Sequence, residues 1–174
     1  MSARPKSVQA KSLQAKPLEK PSLTLKRRIN APPAKIFAAW TDPEKLAHWF
    51  GPADTVAGSV SSELDVKVGG RFRVRFSTEN GEQHEVGGVY REVTPDQRLV
   101  FTWAWHSTPE RESLVTVALR PDGAATMLTL THEQFFDQAA RDGHERGWTG
   151  TLDRLERYSA DIQTRPEGAI PARP

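Results

Sequence analysis

The sequence predicts an α+β domain in which an antiparallel sheet folds one face around a long C-terminal helix. Three observations predict it. The stretch GGRFRVRF, residues 69 to 76, alternates arginine with Phe72, Val74 and Phe76, the period of a strand with one buried face. Turn signals at Gly69-Gly70, Asn80-Gly81, Pro95-Asp96 and Pro121-Asp122-Gly123 divide the chain up to about His132 into strands, most economically an antiparallel meander. The period then changes. In GHERGWTGTLDRLERY, Trp148, Leu152 and Leu155 are spaced i, i+4, i+7, one stripe of a helix running to about Ile162.

The elements follow in order. Leu23, Leu25 and Ile29 share one parity of a first strand, which Ala31-Pro32-Pro33 stops. Ile36, Phe37 and Trp40 recur at helical spacing, and Thr41-Asp42-Pro43 then offers an N-cap with proline at the first position of a second short helix, Glu44 to Trp49. Gly51-Pro52 ends it. In the third predicted strand Phe72, Val74 and Phe76 line the face that meets the C-terminal helix, and Arg71, Arg73 and Arg75 stand in solvent. Leu99, Phe101, Trp103 and Trp105 share a parity, so four large apolar groups fill a core or wall a pocket. Gly143, Gly147 and Gly150 form a second stripe on the long helix. Each costs about 1 kcal/mol relative to alanine, which predicts close packing against another backbone or a cavity edge.

The 174 residues, 37% of them hydrophobic, suit a single domain with one core. The chain lacks cysteine, which removes disulfides and thiolate chemistry and agrees with a cytoplasmic location. With no apolar run near the ~18 residues of a membrane span and no secretory h-region, neither membrane insertion nor export is expected. The net charge of +2 is uneven: residues 1–21 carry five basic residues against Glu19, so the remainder sums to −2. The body is therefore not basic, which argues against a nucleic-acid partner. The near-repeats KSVQA, KSLQA and KPLEK bury no face, so 1–21 reads as a disordered basic tail before a domain at 22–162 and a flexible tail at 163–174.

Motifs for chemistry are sparse. His132-Glu133 and His144-Glu145 each begin like a zinc-protease motif, but Phe136 and Trp148 occupy the partner positions, so no metal site is expected. Neither GxGxxG nor a P-loop occurs, and no cofactor is expected. GxSxG is also absent, and no catalytic residue is assigned. Asp65 and Glu85 would serve as general acids only if they faced inward. His144, one turn before Trp148 on the same face, can point a nitrogen toward a cavity. His48 and His106 flank aromatic groups, with His106 on the opposite parity to Trp103 and Trp105. Trp49 and Phe50, just before Gly51-Pro52, are placed to form a lip or a structural plug.

The segments APPAKIFAAWTDPEKLAHWFGP, ELDVKVGGRFRV, GGVYREVTPDQRLVFTW, TMLTLTHEQF and GHERGWTGTLDRLERY together resemble the activator of heat-shock-protein-90 ATPase homologue family. That family sits within the START and birch-pollen-allergen-like superfamily. The resemblance spans roughly residues 22 to 162 and implies the helix-grip fold, a curved sheet around a long helix with an internal cavity. In such a fold the candidate ligand-binding residues are Trp49, Phe72, Val74, Phe101, Trp103, Trp105, His144 and Trp148. The co-chaperone that names the family has an additional chaperone-binding domain, where here a short polar tail precedes the first strand. The resemblance thus implies first a binding protein for a hydrophobic or aromatic small molecule, without catalysis. Two alternatives stay open: an accessory module with a chaperone partner, and a cavity enzyme for a cyclic or polyketide-like substrate using His144, His48 or an inward carboxylate.

Overall fold

In the computed structural model, which describes residues 19–164, the elements run β1 (Leu23–Ile29), α1 (Pro33–Thr41), α2 (Pro43–Leu46), β2 (Ser61–Leu64), β3 (Arg71–Ser77), β4 (Gln83–Thr94), β5 (Arg98–Trp105), β6 (Ser113–Asp122), β7 (Ala125–Glu133) and α3 (Gln138–Thr164). Strands β2 to β7 form the predicted antiparallel meander, and β1 joins at the far side of β7, giving the order β1-β7-β6-β5-β4-β3-β2. The curved sheet, two short helices and long C-terminal helix make a helix-grip fold. Residues 1–18 and 165–174, most of the two predicted tails, lie outside the described residues. Among the described residues no helix is long and apolar enough to cross a membrane.

The alternation in GGRFRVRF is realised in β3, where Phe72, Val74 and Phe76 are buried and the three arginines are exposed. On that outer face Arg73 and Arg75 both reach Glu85 of β4, at 3.0 and 3.2 Å. Strand β5 departs from alternation, since Val100 and Thr102 are buried together with Leu99, Phe101 and Trp103. At Thr102 the neighbouring β4 comes close. A Cβ at Gly88 would lie 1.9 Å from the Thr102 carbonyl oxygen, and the Val89 N–H donates to Thr102 Oγ1 at 2.8 Å. Only glycine fits there, and the register between the two strands shifts just beyond, between Tyr90 and Glu92.

Asp42 caps α2 as predicted, its Oδ1 accepting the Glu44 N–H at 2.9 Å, with Pro43 in the first turn. The helix is shorter than the predicted Glu44 to Trp49. After Leu46 the bonds tighten, with the N–H groups of His48 and Trp49 donating to the carbonyls three residues back. This turns Trp49 fully inward, where its Nε1 donates to the Ala39 carbonyl at 3.1 Å.

Helix α3 begins at Gln138, ahead of the GHERGW segment, because Asp137 Oδ1 accepts the Ala140 N–H at 2.7 Å and caps the first turn. Its stripe of Trp148, Leu152 and Leu155 is buried in the core, and Arg27 of β1 reaches Asp153 and Glu156, each at 3.4 Å. The glycine stripe divides between the two reasons for which it was singled out. A Cβ at Gly150 would lie 2.8 Å from the backbone nitrogen of Ala53, whereas one at Gly147 would meet nothing within 4 Å. Gly150→Ala is therefore expected to destabilise by about 1–3 kcal/mol through overpacking. Gly147→Ala should stabilise by roughly 0.5–1 kcal/mol through helix propensity alone. Denaturant midpoints of the two variants check this, and shifts of equal sign would contradict the placement of the helix.

Candidate functional site

A cavity of about 590 Å³ lies between the sheet, α3 and the loop after α2. The sheet contributes Phe76, Trp103 and Trp105, with His84 of β4 stacked on Phe76 at a ring separation of 5.0 Å. The loop contributes a lip from Phe50 to Asp54. Arg154 of α3 holds this lip, its Nη1 donating to the carbonyls of Phe50 and Gly51 at 2.6 and 3.2 Å. From the helix, Ala140, Gly143, His144, Gly147 and Thr151 follow one another at i, i+3 and i, i+4 spacing along the face that closes the cavity.

Two histidines organise the aromatic wall. Trp148 Nε1 donates to His132 Nδ1 at 2.9 Å, and an indole N–H can only donate, so the His132 proton sits on Nε2. That N–H donates to Ser113 Oγ at 2.7 Å, and the Ser113 hydroxyl donates to the Trp103 carbonyl at 3.2 Å. His144 has the opposite tautomer. Its Nε2 accepts from Trp105 Nε1 at 3.0 Å and from Trp103 Nε1 at 3.3 Å, leaving the proton on Nδ1 for the Ala140 carbonyl at 2.7 Å. Burial, with the His144 ring 5.0 Å away, lowers the His132 pKa to about 2. Burial also lowers that of His144, against the opposing pull of the Ala140 carbonyl. Both imidazoles are neutral, and protonating either would set an N–H against an indole N–H.

The residues nominated by the sequence divide among three places. Trp103, Trp105, His144 and Trp148 border the cavity. Phe72, Val74 and Phe101 surround a separate void of about 20 Å³, with Phe50 and Trp103 bordering both spaces as a partition. Trp49 borders neither; it is the plug, packed edge-on to Trp40 at 4.7 Å, and the lip residue is Phe50. His48 stacks on Tyr158 on the outer side of α3, Asp65 is exposed and paired with Lys67 at 3.6 Å, and Glu85 faces outward. His106 is exposed, its backbone N–H donating to the Glu85 carbonyl. Among the described residues no three acidic or histidine side chains converge as a metal would require.

His132 was missed as a buried residue, although it shares the parity of Leu128 and Leu130 in β7 and a strand pattern alone would have placed it inside. Ser113 is likewise buried at the start of β6. Arg146, which also borders the cavity, carries no sequence signal that separates it from other helix arginines.

Residues 30–160 match the family model described as activator of Hsp90 ATPase homolog 1-like protein. The chain belongs to that family. Its fold is similar to a solved protein from Chromobacterium violaceum, 27% identical over 79% of this chain and 96% of the other, with a TM-score of 0.70. An AHSA1 protein from Silicibacter pomeroyi is 28% identical over 82% and 98%, with a TM-score of 0.66. An AHSA1-like protein from Aeromonas hydrophila shares the fold at a TM-score of 0.70 and 20% identity, over 86% and 99% of the two chains. Comparison with curated proteins finds no match.

The network has a pH signature. The His132 pKa is lowered on folding, to about 2, from an unfolded value near 6.5, so the stability it contributes is complete above that unfolded value and is lost as pH falls below it. Between about pH 6.5 and 5.5, His132 alone should cost up to about 1.4 kcal/mol per pH unit, with His144 adding in the same direction. Urea unfolding across this window checks the slope. In His132→Asn, less stable at neutral pH, the slope should flatten; an unchanged slope would mean that His132 does not carry it.

Proposed function

We propose that the protein binds a hydrophobic or aromatic small molecule in the 590 Å³ cavity and does not transform it. One observation carries the reading: the space is walled by indole and phenyl rings, and the N–H groups of Trp103, Trp105 and Trp148 are all accepted by the protein's own histidines. A wall of that kind offers ring faces and dispersion contact. Its volume falls in the range that encloses a drug-sized molecule. The same bonding weighs against acid–base catalysis, because the His144 ring nitrogens are both engaged and His132 is sealed behind Trp148. Membership of the family supports a cavity-bearing domain and leaves the ligand to be read from the wall.

The neutral fluorophore N-phenyl-1-naphthylamine is a direct test. It should bind the native protein at a single saturable site with enhanced, blue-shifted emission. Gly147→Leu sends a side chain into open space in the cavity, so it should abolish that binding while the thermal midpoint is kept or raised. Absence of saturable binding in the wild type, or full binding in the folded Gly147→Leu variant, would overturn the reading.

A further inference from the structure

We propose that the ligand carries an anionic group and that Arg146 binds it at the mouth of the cavity, an inference that rests on the cavity being a binding site. The interior rings select an apolar body. Selection by charge must come from the other polar side chains bordering the cavity, His84, Thr151, Asp54 and Arg146. Two of these are engaged: Thr151 Oγ1 donates to the Gly147 carbonyl at 2.8 Å, and His84 Nε2 meets Thr78 Oγ1 at 3.1 Å.

Arg146 differs from them. Among the described residues it makes no ion pair, and its two acidic neighbours on the helix, Asp142 and Glu145, are both drawn to Arg141. Its charged end lies beside Gly143. One turn back along α3, an ideal Cβ at Gly143 would stand 3.8 Å from Arg146 Nη2, so the guanidinium folds back over bare helix backbone and borders the cavity. A larger side chain at 143 would occupy that path. The guanidinium keeps its charge at any pH the protein survives and presents a planar fork of donors that matches a carboxylate, sulfonate or phosphate. Among the described residues Asp54 is the one carboxylate bordering the cavity; like Arg146 it is exposed, and it would favour a cation instead. Arg146 is placed to prevail, because its guanidinium borders the cavity beside Gly143 and makes no ion pair among the described residues, Asp142 one turn back acting on it only through space while itself bonded to Gln138 and Arg141. The ligand class is then an amphiphilic acid: a flat apolar body in the cavity and an anionic head at its mouth.

Three probes of one ring system separate the terms: 1-pyrenemethanol, 1-pyrenecarboxylate and 1-pyrenemethylammonium, titrated into the full chain by fluorescence at low and high salt. The carboxylate should bind about three- to tenfold more tightly than the alcohol, and the ammonium less tightly than either. Added salt should shrink the carboxylate's advantage. In Arg146→Gln the carboxylate-to-alcohol affinity ratio should fall to about one at an unchanged thermal midpoint, and Arg146→Lys should restore part of it. A carboxylate no tighter than the alcohol, or an advantage that survives Arg146→Gln, would overturn the proposal while leaving the cavity reading intact. Tightest binding by the ammonium would assign the mouth to Asp54 and also overturn it. If none of the three binds, the cavity reading falls and this proposal falls with it.

Discussion

The hydrogen bond from Trp148 Nε1 to His132 Nδ1 is the polar fixture on which the rest of the site depends. It crosses from helix to sheet, and both partners are buried. Apolar contact alone holds a helix against a sheet but tolerates small rotations and slides. A buried donor that loses its acceptor costs about 1–3 kcal/mol, so this bond sets the rotation of α3 about its axis. Once that rotation is fixed, the remaining placements follow. Gly150 must face Ala53, Gly147 and Gly143 must face the cavity, and His144 must face Trp103 and Trp105. The same bond fixes the His132 tautomer, whose Nε2–H reaches Ser113 and through it the Trp103 carbonyl, so the link extends across β7, β6 and β5.

Much of the fold was legible because it rests on periodicity. The alternation at 71–76 and the stripe Trp148, Leu152, Leu155 state which faces are buried, and tertiary context did not override them. Asp42-Pro43 likewise announced a helix start by local chemistry. Two element ends were less legible. The α2 terminus depended on a tightening turn after Leu46, and the α3 start on a cap at Asp137 that lies before the recognisable motif.

The candidate site was legible in its aromatic composition and not in its partition. Phe72, Phe101 and Trp103 are all large, apolar and of inward parity, yet Phe72 and Phe101 enclose a small void while Trp103 faces the cavity as well. Nothing in a side chain's identity distinguishes a wall with a neighbour on both sides from a wall with one. The distinction arises from where Phe50 and α3 stop, which is a property of assembly. Trp49 and Phe50 show the same limit at adjacent positions, one a plug and the other a lip. His132 is the reverse case. Its strand parity is plain in the sequence, but metal-ligand spacing says nothing of its role as the acceptor that a tryptophan distant in sequence needs.

Arg154 has a mechanical consequence. Its guanidinium grips the carbonyls of Phe50 and Gly51, and four residues earlier on the helix Gly150 seats against Ala53. Lip and helix are thereby one lever rather than a hinged flap on a fixed frame. Swinging the lip outward alone would break two charge-assisted hydrogen bonds and open a gap at Gly150. Widening the aperture by the lip alone is therefore opposed by its contacts with α3.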